Sequence, residues 1–120
     1  MINDALHTII NPITPAYPII GEFDAAAPFC TFTAEPSPIR IKGGIIGFVQ
    51  KVIVYLIDDN FDRLQTNTAA IQSAVEAMTG TIDGTIITDV QFTGESGIQF
   101  DKQTATYQNS LEFTFDTDNR

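Results

Sequence analysis

The segment Gly47 to Ile57 constrains this chain more than any other. Read as a strand, it places Phe48, Val52, Val54 and Leu56 on one face and Val49, Ile53, Tyr55 and Ile57 on the other. Successive side chains of a strand point to opposite faces, so a half-buried strand alternates apolar with polar. Apolar residues on both faces require cover on both. The second cover can come from the chain's own elements or from a neighbouring subunit.

The rest of the chain arranges itself around that strand. Asp58-Asp59-Asn60 closes it, and Phe61, Leu64, Thr68, Ile71, Val75 and Met78 then recur at spacings of three and four. That spacing predicts a helix from Asn60 to Thr79, stopped by Gly80 and about 30 Å long. A shorter amphipathic helix is expected over Ile2 to Ile10, with Asn3 as its cap and an end imposed by Asn11-Pro12 and Thr14-Pro15. Ala16 to Pro28 reads as an extended segment and a loop. Phe29 to Thr33 has strand composition, and the prolines of Ala34-Glu35-Pro36-Ser37-Pro38 bar the following residues from a central ladder. Ile39 to Lys42 alternates again, and Gly43-Gly44 is a two-residue turn signal. Pro36 to Ile46 therefore reads as an arm or hairpin excursion between two core strands.

Two further strands are expected, Thr85 to Thr93 and Ala105 to Phe115. The second puts Tyr107, Leu111, Phe113 and Phe115 on one face against Thr106, Gln108, Ser110, Glu112 and Thr114. Gly94 to Thr104 is read as a loop between them, and Asp116 to Arg120 as a frayed end. The order α-β-β-α-β-β gives an α+β fold, an antiparallel four-stranded sheet with the long helix packed on a face. The 120 residues are one domain's worth of chain, expected to span 1–120.

Composition narrows the partners. Apolar residues make up 43%, which excludes disorder, and a mean hydropathy of +0.06 is rather apolar for a small monomer. Six basic residues stand against fifteen acidic ones, a formal charge of −9, and no two basic residues are adjacent. Nucleic-acid binding depends on Lys and Arg neutralising phosphates, so sequence-specific DNA or RNA binding is not expected, nor is docking on an anionic membrane. The sequence MINDALHTIINP lacks the basic and apolar regions of a secretory leader, which places synthesis in a cytoplasm. One cysteine makes neither an internal disulfide nor a thiolate metal cluster.

Residues that could carry chemistry each have a plainer role. Asp58, Asn60 and Asp62 match the opening of a calcium loop, but its glycine and closing glutamate positions hold Arg63 and Ala69. Capping of the helix explains those acids and amides better. His7 has no nucleophile signal near it, and Cys30, inside Phe29-Cys30-Thr31-Phe32, has no cationic neighbour to activate it. The glycines form neither a dinucleotide fingerprint nor a phosphate loop. No enzyme activity, cofactor or metal is expected.

The layout resembles the tail terminator (tail completion) proteins of long-tailed bacteriophages and prophages, with related minor tail and head–tail joining proteins. The resemblance runs from Ile2 to Phe115. It rests on the N-terminal helix, the strand after Pro28, the strand Val49 to Ile57, the acidic and amide opening of the long helix, and the closing strand Tyr107 to Phe115. Pro36 to Ile46, with its double glycine, departs from it. The resemblance implies a virion structural subunit that forms a ring, usually of six copies, capping the tail tube. Its partners would be itself, the tube protein and the head connector, and an acidic lumen would let DNA pass without sticking. The two excursions are the natural arms for reaching neighbours. The first offers Pro36, Ile39, Arg40, Lys42, Gly43 and Gly44. The second offers Gly94, Glu95, Ser96, Gly97, Ile98, Phe100, Asp101 and Lys102. Two other readings stay open, an acidic inhibitor or DNA mimic that occupies a basic protein, and a small ligand-binding α+β domain.

Overall fold

The computed structural model describes residues 2–13, 16–18, 29–82, 84–103 and 105–118. Along the chain these form α1 (Ile2–Ile10), β1 (Ala16–Pro18), β2 (Phe29–Ile41), β3 (Gly44–Asp58), α2 (Phe61–Glu76), β4 (Gly80–Ile82), β5 (Thr85–Glu95), β6 (Gln99–Asp101) and β7 (Thr106–Asp118). The fold is α+β, as expected, but the described strands number seven rather than four. Their order in the sheet is β1-β2-β3-β7-β5-β4, with β6 also on β7. All pairs are antiparallel except β1 on β2.

The expected number of strands was too low because short segments find ladder partners that composition does not announce. Three residues of the Ala16 to Pro28 stretch add to the edge of β2 as β1, and residues 19–28 lie outside the described residues. Gly80, expected as the stop of the helix, instead opens β4 (Gly80–Ile82), which pairs with Thr85–Ile87. The final strand continues to Asp118, so residues 116–118 are paired with β3 rather than frayed.

Helix α2 begins where its cap dictates. Asn60 takes extended backbone angles and its side chain accepts a 3.0 Å hydrogen bond from the Arg63 N–H, satisfying one of the free donors of the first turn. Leu64, Thr68, Ile71 and Val75 are buried against the sheet. The helix ends at Glu76 with Ala77 as its cap, earlier than the expected Thr79, and the chain turns there to reach the edge of β5. Met78 stays buried although it has left the helix. Helix α1 has the expected bounds. Asn3 lies inside it rather than capping it, and Ala5, Leu6 and Ile10 are buried where α1 meets α2 and β2.

Strand register sorts the sheet into two faces. On the helix-covered face, cross-strand rows join Cys30 to Leu56 and Asn109, Phe32 to Val54 and Leu111, and Ala34 to Val52 and Phe113. Phe32, Val54, Leu111 and Phe113 are no more than 1% exposed, and with the α1 and α2 residues they form the core. The described helices cover only this face.

The first of the two expected excursions is largely ladder and the second partly so. Pro36 and Pro38 lie within β2, past the point where β1 pairs with it, so their missing N–H groups fall on an edge as required. The turn at Lys42-Gly43 lets β2 and β3 continue as a two-stranded arm beyond Gly47, which pairs with Asp118 near the end of β7. Four residues at about 3.3 Å each carry the tip about 13 Å past the sheet, in a molecule with extents of 52 × 27 × 23 Å. At the other excursion, residues 96–98 bulge between β5 and β6, three residues facing two of β7. Gly97 takes φ +86° in that bulge, and Ala105 takes φ +54° in the turn before β7.

Candidate functional site

The second face of the sheet is the candidate surface. Its rows join Phe29 to Ile57 and Gln108, Thr31 to Tyr55 and Ser110, Thr33 to Ile53 and Glu112, Glu35 to Lys51 and Thr114, and Ser37 to Val49 and Asp116. The apolar set that the two-faced β3 pattern predicted, Val49, Ile53, Tyr55 and Ile57, therefore runs as a stripe interrupted only by Lys51. None of the four belongs to the buried core, and Tyr55 is 40% exposed. Lys51 Nζ stands 3.7 Å from Glu112 Oε1 at the surface, an ion pair of little energetic weight.

The bulge gives this face its relief. The Ser96 N–H donates to the Ser110 carbonyl at 3.1 Å, and the Ser110 N–H donates back to Ser96 Oγ at 3.1 Å. Asn109 holds the bulge from beneath. Its Nδ2 donates to Glu95 Oε2 at 3.3 Å and to Thr68 Oγ1 of α2 at 3.4 Å, while the Thr68 hydroxyl donates to the Leu64 carbonyl at 2.8 Å. Between the raised bulge and Tyr55 lies an open groove of about 510 Å³ whose lining includes Thr31, Ile57, Gln99 and Gln108. A second hollow of about 310 Å³ adjoins it, bounded by Ile53, Glu95 and Glu112. The polar groups of the larger groove are hydroxyls and amides. Asn109 was legible as an anomaly, since it interrupts the apolar face of Ala105 to Phe115, but nothing in the sequence says which contacts it makes.

The two groups of residues expected at interfaces do not meet within one chain; they mark opposite ends of the sheet. Pro36, Ile39 and Arg40 lie on β2, Lys42 and Gly43 form the arm's turn, and Gly44 opens β3 with φ +129°. Gly94 and Glu95 end β5, Ser96, Gly97 and Ile98 make the bulge, Phe100 and Asp101 lie on β6, and Lys102 is in the following turn. Phe100, 51% exposed, packs at a tilt against Tyr107 with centroids 5.0 Å apart, and Tyr107 meets Phe61 edge-on at 5.4 Å. Asp101 is tied into its own turn by the Gln103 N–H at 2.9 Å.

The calcium-like acids are committed elsewhere. Arg63 occupies the mouth of that loop, bonded to both Asp58 oxygens and to Asp59. Burial pushes the Asp58 pKa up, but hydrogen bonds from Arg63 and the Asn60 N–H, with the guanidinium charge, outweigh it and hold the pKa below the ordinary carboxylate value. Among the described residues no cluster of three or more His, Cys, Asp or Glu side chains could hold a metal ion. Cys30 is fully buried, and burial pushes its pKa up to about 12, so it stays a thiol. His7 is on the surface of α1. Among the described residues no helix is long and apolar enough to cross a membrane.

The fold is thus a single mixed sheet, mostly antiparallel, with the described helices on one face and not on the other. A chain of a solved structure described as "Virion of native gene transfer agent (GTA) particle" shares it. The superposition has a TM-score of 0.70 at 14% identity and covers 95% of this chain and 84% of that one. At that identity the likeness is one of fold. No protein-family model matches the sequence, and no curated protein matches it.

Proposed function

We propose that this chain is a non-enzymatic structural subunit of a phage-like virion, acting as a tail terminator. Copies would form a ring, of six by analogy with the family it resembles, at the head-proximal end of the tail tube. The subunit would be made in the host cytoplasm and end in the virion tail, with the tube protein and head connector as its other partners. The observation that carries this reading is the apolar stripe Val49, Ile53, Tyr55 and Ile57 on a sheet face that the described helices leave open. A core strand that is apolar on its uncovered side is what an assembling subunit requires. The likeness of fold to a virion-particle chain, running nearly the whole length, supports the same reading. The net charge of −9 suits a conduit for DNA.

The test is deletion of the gene in a strain that makes the particle, followed by electron microscopy. Tails of uncontrolled length, with heads detached from them, are expected. Particles of unchanged form and number would end the proposal. Tail genes on either side of this one are the expected genomic context.

A further inference from the structure

We infer that the β2–β3 arm of one copy docks on the open sheet face of the next, a contact that rests on the ring-subunit reading and deepens it. Charge is the first ground. Residues 39–46 at the arm's tip contain four isoleucines, Arg40 and Lys42, and no acid, in a chain whose net charge is −9. The open face has the opposite character. Around its apolar stripe stand Glu35, Glu112, Asp89 and Asp116 against the single base Lys51. Asp89 and Asp116 are directly opposed across β5 and β7, and like charges in that position repel unless a cation comes between them. A tip whose sequence is apolar and basic, with Lys42 exposed in its turn, complements an apolar, acidic face.

The edge of β2 supplies the second ground. Strand addition is the usual way for sheets to join, but Pro36 and Pro38 occupy the edge of β2 beyond β1 and bar it there, at the base of the arm. The arm runs on past Gly47, where β7 ends, with a bulge at Ile39-Arg40, so its tip lies beyond the rest of the sheet. Tip and face are different surfaces, which makes the contact heterologous and able to repeat until it closes a ring.

The test is sedimentation velocity on the full chain over a range of concentrations at low salt. Self-association is expected, weakened about tenfold by Lys42→Glu and restored when Asp89→Lys is added to the same chain. Unchanged melting of each variant shows that the sheet is intact. Separately, a Lys42→Cys protein mixed with a Gln91→Cys protein, the new thiol lying two residues from Asp89 on the same face, and a short bismaleimide should give the mixed cross-linked dimer, since Cys30 is buried. A strict monomer, association insensitive to Lys42→Glu, or failure of Asp89→Lys to restore it would each overturn the docking. Oligomers that persist in Lys42→Glu leave the virion reading standing. Failure of that reading is seen separately, in the unaltered particles of the gene deletion.

Discussion

Arg63 closes on Asp58 with two parallel hydrogen bonds, Nη2 to Oδ1 at 2.6 Å and Nε to Oδ2 at 2.8 Å, and so joins the end of β3 to the first turn of α2. The carboxylate is almost entirely buried while the guanidinium is half exposed. Asp58 Oδ1 also accepts the Asn60 N–H at 3.0 Å. One acid thus fixes the angle at which the helix leaves the sheet and lies back across it.

Replacing Arg63 with Met leaves that carboxylate buried with its backbone donor alone, so its pKa rises. Because the folded-state pKa of Asp58 is depressed in the parent, its contribution to stability is present above the unfolded value of about 3.9 and lost as pH falls through the folded one. The variant is expected to be least stable relative to the parent near neutral pH, with the gap narrowing as acid protonates Asp58. Melting temperatures measured between pH 7 and pH 3 check this. A gap that widens in acid would contradict it.

Gly47 sits where the arm leaves the sheet, and a methyl group built there collides with the Thr117 carbonyl oxygen of β7. Backbone cannot give way as a flexible side chain can, so Gly47→Ala should cost about 1–3 kcal/mol by prying β3 from the end of β7. Denaturant melts measure the loss. Faster amide exchange confined to residues 116–118 and the arm would locate it.

The buried thiol offers a probe of global opening. With its pKa at about 12, Cys30 stays protonated in the folded state while the unfolded chain ionises its thiol above about pH 8.5. Folded protein should resist alkylation at pH 8 and react only on unfolding, and stability should decline as pH rises above that point. Stoichiometric labelling of native protein within minutes would show that the interior is more open than its packing implies.

On the open face, Tyr55→Ser removes a ring that is 40% exposed and should change stability by under about 1 kcal/mol. Its expected effect is on assembly, with ring formation lost at concentrations where the parent associates. Light scattering coupled to size-exclusion chromatography, beside a thermal melt, separates the two effects. Full association by the variant would remove the stripe from the interface.

Local pattern was enough for the pieces whose burial is periodic. The three- and four-residue spacing from Leu64 to Val75 found α2, the two-faced run from Phe48 to Ile57 found the central strand, and Gly43-Gly44 marked the hairpin turn one residue late, since Lys42-Gly43 make it and Gly44 opens β3. That run also announced a surface in need of cover, because side-chain alternation is a property of the strand itself. What the pattern could not carry was pairing between distant segments. Tyr17 beside Thr31, Gly80 beside Ile87 and Gln99 beside Gln108 are ladder contacts whose short partners have no periodicity to read. The early end of α2 leads into one of them. Tertiary structure likewise decided that Asn109, reaching Thr68 and Glu95, would hold the bulge beside Tyr55, and that the two predicted interface segments would lie at opposite ends of one sheet. Hydrophobic alternation is written residue by residue, whereas register and the meeting of remote polar groups exist only once the chain has closed on itself.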